Sequence, residues 1–202
     1  MAIDIDEAKV QRNEFALWLG WTLATTIGML LGLLPFLLFI DILPLIFFRI
    51  AVPIWAGILV GSFQWFVLRR YLTSCSHWIL NVGAGWALGF ALGLLVIEAL
   101  NKTPLGALVG YIIFGLIIAL IQWPVLRREI PHVIPWVIAS ILGWALGAYL
   151  SQWVLNLIVA GDVASQAISS LVISTGTGLV AGAITGLALV WIVRQPERPV
   201  NL

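Results

Sequence analysis

One stretch of the chain occurs twice, and this duplication constrains the fold more than any other feature. Residues 57–89 and 115–147 share 13 identities in 33 positions without a gap. Both copies contain Gln-Trp-x-Val-Leu-Arg-Arg, followed by a Trp and by Gly-Trp-Ala-Leu-Gly. Repeats of this kind are supersecondary units that bury their apolar faces against one another. We therefore expect several copies of one unit packed together.

The composition indicates that lipid is the solvent of these units. Of the 202 residues, 62% are hydrophobic and 9% are charged, whereas a soluble domain carries about 25% charged residues. A net charge of +1 gives no electrostatic support for a nucleic-acid partner. The lone Cys75 excludes an intrachain disulfide. We expect an all-α integral membrane protein with a single transmembrane domain over residues 1–202.

The apolar runs predict six transmembrane helices. Pro35 is expected to kink or end the first helix, and residues 41–49 are expected to form a hydrophobic loop in the headgroup region. Residues 1–12 are a polar tail, acidic where a signal peptide is basic, so we expect the first helix to direct insertion. The predicted helices cover about residues 14–40, 50–69, 78–99, 105–126, 136–159 and 171–193.

The distribution of Lys and Arg predicts the orientation of these helices. Six spans put both termini on one side, and eight of the ten cations fall on that side. Only Arg49 and Lys102 fall on the other. Such a bias over short loops is typical of the cytoplasmic side, so both termini are expected to be cytoplasmic. The eight cations are Lys9, Arg12, Arg69, Arg70, Arg127, Arg128, Arg194 and Arg198.

Weaker matches extend the repeat toward both ends of the chain. Residues 182–186 align with residues 57–61 through their glycines, and residues 20–23 align with residues 85–88. Three helical hairpins of one orientation are therefore predicted, as parallel repeats about an axis along the membrane normal. A closed pseudo-threefold bundle is the simplest arrangement, and an open arc is the alternative. The hairpins cover about residues 14–70, 78–128 and 136–195.

Small residues recur at four-residue spacing on one face of the predicted helices. In lipid, such faces let two backbones approach closely and gain van der Waals contact. Helix packing is the predicted role, and a narrow pathway or a groove for pigment or lipid is the alternative. The glycines concerned are Gly57, Gly61, Gly85, Gly89, Gly115, Gly143, Gly147, Gly182 and Gly186.

Polar side chains also recur with the repeat. Gln64 and Gln122 are expected to bond a neighbouring helix, because an unbonded amide is costly in hydrocarbon. A polar ring on a solute pathway is the alternative, although the third copy is expected to have Leu189 at this place. The arginine pairs that follow are expected to fix topology and contact headgroups, or to dock an acidic partner. They are Arg69, Arg70, Arg127 and Arg128.

The chain has 11 tryptophans, in several environments. Trp86 and Trp144 lie deep in the predicted helices and are expected to fill space against glycines or to contact a flat ligand. Glu98 is expected to pair with Lys102. Four tryptophans near the arginine pairs are expected to form a cytoplasmic aromatic belt. They are Trp65, Trp78, Trp123 and Trp136.

The sequence carries no pattern of catalysis or metal binding. His77 and His132 have no second ligand at metal-binding spacing. A nucleophile with a His and an acid is missing, and so is a phosphate-binding loop. We therefore expect a protein that is not an enzyme, with no cofactor predicted but with room for bound lipid or pigment.

The motif Gln-Trp-x-Val-Leu-Arg-Arg, with Gly-Trp-Ala-Leu-Gly downstream, resembles a group of uncharacterised multi-pass bacterial membrane proteins of cyanobacterial type. The match covers residues 57–89 and 115–147. The resemblance implies the repeated hairpins and a bacterial inner (plasma) or thylakoid membrane. It implies no activity.

Three functions follow as hypotheses. The first is an accessory or scaffold protein that binds lipid, other membrane proteins or itself. The second is a small-solute transporter or channel along the bundle axis, lined by Gln64 and Gln122 and by Ser174, Thr175 and Thr177. The third is an accessory subunit of a photosynthetic or respiratory complex.

Overall fold

The computed structural model describes residues 5–39, 42, 44–72, 75, 77–128, 132–158 and 166–194. These residues form seven helices. The helices are α1 (Ile5–Gly32), α2 (Leu34–Phe39), α3 (Leu45–Leu68), α4 (Trp78–Ala99), α5 (Pro104–Leu126), α6 (Ile134–Ile158) and α7 (Gln166–Val193).

Six segments are long and apolar enough to cross a membrane, which indicates a multi-pass membrane protein. A span of about 20 apolar residues is what a bilayer core requires. The predicted number of spans is confirmed for the described part of the chain. These spans are Glu14–Phe39, Arg49–Leu68, Trp78–Ala99, Pro104–Leu126, Ile134–Ile158 and Ala167–Val193.

Several helix ends differ from the predicted ones. Helix α1 begins at Ile5, inside the predicted polar tail, and α7 begins at Gln166, several residues earlier than expected. The predicted loop 41–49 is wrong for its last five residues, because α3 begins at Leu45, directly after Pro44. Polar or charged residues near a helix end do not prevent helix formation once the neighbouring span is anchored. Residues 40, 41 and 43 lie outside the described part.

The first span is interrupted where its sequence predicts. Helix α1 ends at Gly32 and α2 begins at Leu34, so the break at Leu33 lies two residues before Pro35. Proline removes one backbone donor and its ring crowds the preceding turn. The prediction that Pro35 kinks or ends the first helix is confirmed.

The connection between α4 and α5 is a tight turn. Asn101 and Lys102 have positive φ angles of 53° and 56°, the left-handed conformation that ends many helices. The Thr103 hydroxyl then accepts a hydrogen bond from the Gly106 N–H and caps α5. Pro104 occupies the first turn, where a missing N–H is harmless.

The six spanning helices form a closed ring. Each packs against its neighbours in sequence, in the order α1, α3, α4, α5, α6 and α7, and α7 packs against α1. Neighbours run antiparallel: Gly28 meets Val60 while Gly32 meets Ala56. Arg194 pairs with Glu14 and joins the two ends of the ring. The end that carries Glu14 and Arg194 is called the terminal end below, and the end that carries Arg49 and Lys102 is called the distal end.

Candidate functional site

Three tryptophans meet at the centre of the ring. Trp21, Trp78 and Trp136 come from α1, α4 and α6, and each is at most 1% exposed. Their ring centroids lie 5.6 to 6.2 Å apart, all in edge-to-face geometry. This arrangement brings the positive edge of one ring against the negative face of the next. The three are called the tryptophan triad.

Each indole N–H of the triad donates to a polar side chain on an adjacent helix. Trp78 donates to Gln64 Oε1 at 3.3 Å, and Trp136 donates to Gln122 Oε1 at 3.0 Å. The acceptor for Trp21 is the Thr185 hydroxyl, also at 3.0 Å. These bonds satisfy donors that would be costly to bury alone. Both glutamines thus bond a neighbouring helix, as expected from the sequence.

The prediction of an aromatic belt is wrong for two of its four tryptophans. Trp78 and Trp136 do not lie at the lipid boundary, since they are buried on the axis. Their proximity to the arginine pairs in sequence suggested an interfacial position. Instead, their indole N–H groups donate to Gln64 and Gln122 inside the ring, and each acceptor lies 14 residues earlier in the chain. Trp65 and Trp123 are half-buried.

The residues of α1 and α7 that occupy the positions of the repeated motif are not the ones that the sequence alignment predicted. Thr185, and not Leu189, is the α7 residue that accepts from a triad indole. Trp21 lies in the layer of Trp78, whereas the sequence alignment paired it with Trp86. In all three helices that carry the triad, glycines follow the tryptophan at +7 and +11. These glycines are Gly28 and Gly32, Gly85 and Gly89, and Gly143 and Gly147.

Three leucines fill the axis one turn closer to the terminal end. Leu68, Leu126 and Leu189 are completely buried. Each follows a triad acceptor by four residues and so lies on the same helix face. With the triad, they close the terminal half of the ring with side chains.

A second aromatic cluster lies on the distal side of the triad. The rings of Trp86, Phe114 and Trp144 have centroids 5.2 to 5.3 Å apart, nearly perpendicular to one another. Eight residues of helix, about 12 Å, separate Trp78 from Trp86. Between the two aromatic layers the free space is only about 10 Å³, which is close to the minimum for one water molecule. Trp86 is one of the residues that line this space, and its Nε1 is buried without a hydrogen-bond partner among the described residues.

The glycines of the two repeats and of α7 lie at close contacts between neighbouring helices. An ideal Cβ on Gly57 would lie 2.6 Å from Trp86 Cβ, and one on Gly115 would lie 2.8 Å from the Ser140 carbonyl oxygen. Contacts below 3.4 Å are also found for Gly61, Gly89, Gly143, Gly147, Gly182 and Gly186. Gly85 is looser, at 3.4 Å from Ile118 Cα. These distances leave no room for a side chain at most of the positions that the repeat singled out.

A free space lies on the distal side of the second cluster. It has two lobes of about 330 and 340 Å³, which share Met29, Trp86, Phe90 and Ser174. Together the lobes are lined by all six spanning helices, so the space lies inside the ring. It is called the distal cavity. Its other lining residues are Gly32, Leu33, Phe36, Arg49, Val52, Pro53, Ala56, Gly89, Gly93, Leu94, Ile97, Gly110, Tyr111, Phe114, Trp144, Ser170, Ile173 and Thr177.

The cavity contains only part of the lining predicted for a pathway. Ser174 and Thr177 border it, but the Thr175 hydroxyl lies on the exposed side and bonds the Leu171 carbonyl of its own helix. Gln64 and Gln122 border the small space between the aromatic layers instead. Sequence reasoning missed Phe90 and Tyr111, because an aromatic side chain in an apolar helix has no pattern that separates cavity lining from core.

Of the charged side chains that the structure describes, one borders the cavity and the others do not. The side chains of Arg69 and Arg70 extend over the Phe66 ring at the terminal end, and Arg127 and Arg128 are exposed at the same end. At the distal end, Glu98 pairs with Lys102 at 3.4 Å, which confirms the predicted pair. Glu98 also pairs with Arg49 at 3.6 Å, and Arg49 is the exception that borders the cavity.

Within the described ranges, no three His, Cys, Asp or Glu side chains are grouped to hold a metal ion. In comparisons with protein-family models, curated proteins and solved structures, none matches this chain.

Proposed function

We propose that this protein is a non-enzymatic membrane protein that holds the apolar part of a bilayer lipid in the distal cavity. The observation that carries the proposal is a bundle interior that is filled at one end and hollow at the other. The triad and the leucine layer fill the terminal half, whereas the distal half contains lobes of about 330 and 340 Å³. Volumes of this size are typical of ligand sites with mostly apolar walls.

The proposed architecture is three hairpins, α1–α3, α4–α5 and α6–α7, about a pseudo-threefold axis. The three indole-to-acceptor bonds support it, because each joins one hairpin's second helix to the first helix of the next. The shared +7 and +11 glycines support it too. We also propose cytoplasmic termini in a bacterial inner or thylakoid membrane, from the cation distribution and the resemblance.

A lipid-holding role fits the filled terminal half better than a channel does. A solute moving along the axis would have to part three fully buried tryptophans, break their hydrogen bonds and displace three leucines. A transporter remains the second candidate, because a one-sided cavity is what one state of an alternating-access protein presents. The change between its two states would require the three indole hydrogen bonds of the triad to break and re-form.

The proposal is tested by a substitution that places a larger side chain in the cavity. Ser174 borders both lobes, so Ser174→Phe is expected to reduce the lipid retained by the purified protein. Leu171→Phe adds a ring to an exposed position of the same helix and serves as the matched control. Native mass spectrometry after gentle detergent extraction measures bound lipid per chain, and an absorption spectrum tests for pigment.

We expect the wild type and Leu171→Phe to retain lipid and Ser174→Phe to lose it. Equal retention by both variants, with intact thermal unfolding transitions, would contradict a lipid site in the cavity. Proton-, ion- or solute-dependent flux into liposomes that Ser174→Phe abolishes would favour the transporter instead.

A further inference from the structure

The mouth of one lobe of the distal cavity is chemically different from its interior. Arg49, Ser170 and Ser174 are the polar residues that line this lobe, and the other nine lining residues are apolar. Arg49 lies toward the distal end, and Met29 and Trp86 lie at the deep end. A ligand matched to such a lobe has an apolar chain and one polar head.

The dimensions agree with an amphiphile placed along the axis. Arg49 and Ala56 both line the lobe from α3. Seven residues of helix separate them, about 10 Å along the axis. An acyl chain can extend along that length while its head remains at the distal end.

The charge at the mouth favours an anionic head. Among the side chains that the structure describes at this end, Arg49 and Lys102 share one carboxylate, Glu98, so these three side chains together carry one net positive charge. Neither pair is closer than 3.4 Å, and all three side chains are more than a third exposed. Pairs of this kind are weak and can rearrange. A guanidinium presents parallel N–H donors that match a phosphate.

We propose that the distal cavity selects an anionic phospholipid, with one acyl chain inside the ring and the phosphate on Arg49. This inference rests on the proposed function and adds the class of lipid, its orientation and the residue that recognises it. A zwitterionic lipid would bring its own cation close to Arg49, which already lines this mouth.

The experiment uses the full-length protein in vesicles of equal parts phosphatidylglycerol and phosphatidylcholine. Native mass spectrometry of the extracted protein gives the ratio of the two lipids retained. Phosphatidylglycerol is expected to dominate in the wild type. Arg49→Gln is expected to lower the ratio about tenfold, because it removes the charged donor that distinguishes the phosphate from a neutral partner. Arg12→Gln removes a cation from helix α1 and none from the lining of the distal cavity. It is the matched control and should leave the ratio unchanged.

A second variant tests the charge argument without removing Arg49. Glu98→Gln frees both cations and is expected to raise the phosphatidylglycerol ratio. This variant keeps the proposal falsifiable if Arg49→Gln fails to fold. Inorganic phosphate at millimolar concentration is not expected to displace the retained lipid, because it cannot occupy the apolar interior.

The outcomes separate this inference from the proposed function. Equal retention of both lipids by the wild type, or an unchanged ratio in both Arg49→Gln and Glu98→Gln, would overturn the anionic selectivity while leaving a lipid site in place. Displacement by inorganic phosphate would show a head-group site without a chain site, and would also overturn it. No retained lipid of either kind would remove the proposed function itself.

Discussion

The indole N–H of Trp21 donates to the hydroxyl of Thr185 at 3.0 Å, although 164 residues separate the two. The Thr185 hydroxyl donates in turn to the Ala181 carbonyl at 2.6 Å. This bond joins the first spanning helix to the last, at the depth where Trp78 and Trp136 bond their own partners. It therefore closes both the ring of helices and the layer of hydrogen-bonded tryptophans.

Thr185→Val is expected to destabilise the bundle. Valine keeps the shape of threonine but removes the acceptor, so the Trp21 N–H is left buried without a partner. Such a loss costs about 1–3 kcal/mol. Thermal unfolding in detergent, followed by tryptophan fluorescence, measures the change.

Thr175→Val is the control for that substitution. Its hydroxyl bonds only the preceding turn and lies on the exposed side of the same helix. Thr185→Ser, which restores an acceptor, should recover most of the stability. Equal unfolding temperatures for Thr185→Val and Thr175→Val would mean that the bond across the ring contributes nothing.

Gly57→Ala is expected to loosen the contact between α3 and α4. The added Cβ would lie 2.6 Å from Trp86 Cβ and 3.0 Å from Gly83 Cα, so one helix must shift. Overpacking of this kind costs about 1–3 kcal/mol. Gly57→Leu and Gly61→Leu should have larger effects in the same assay of thermal stability.

Gly20→Ala provides the comparison for Gly57→Ala. Its added Cβ would lie 3.7 Å from the Val67 methyl groups, an ordinary contact. Because alanine is favoured over glycine in a helix by about 1 kcal/mol, this variant should be as stable as the wild type or more so. If both variants unfold alike, the close approach at Gly57 is not what holds α3 against α4.

Cysteine labelling tests the proposed topology. In a Cys75→Ala background, Lys102→Cys should react with a membrane-impermeant maleimide in intact cells, since residue 102 is well exposed at the distal end. Arg70→Cys, at the terminal end, should react only after the membrane is permeabilised. The reverse pattern would invert the orientation, and labelling of both from one side would contradict the alternation of spans.

Much of the fold could be predicted from the sequence because lipid imposes simple rules. Every backbone group must bond internally, so long apolar runs become helices, and α4 has the bounds that its run predicted, Trp78–Ala99. The turn at Asn101 and the break before Pro35 follow from local stereochemistry. These features depend on residues close together in the chain.

The site could not be predicted in the same way, because it depends on which side chains meet across the ring. Tryptophan is compatible with a lipid boundary and with a core, so its position in the sequence does not decide between them. The buried Trp78 donates to Gln64, whereas Trp86 is buried without an acceptor among the described residues. In the last helix the acceptor is Thr185 rather than a glutamine. Because the residue type differs, the sequence alignment placed Leu189, and not Thr185, at the position of the glutamines.

The closed ring of helices also affects how the protein unfolds. In a row of hairpins, the outermost pair has one free side and can fray while the rest stays assembled. Here α7 packs against α1, so none of the three proposed hairpins occupies an outer position. Detaching any one of them opens two interfaces together and breaks two of the three indole bonds. The bundle should therefore lose its structure as a single cooperative unit, with no population of partly unzipped intermediates.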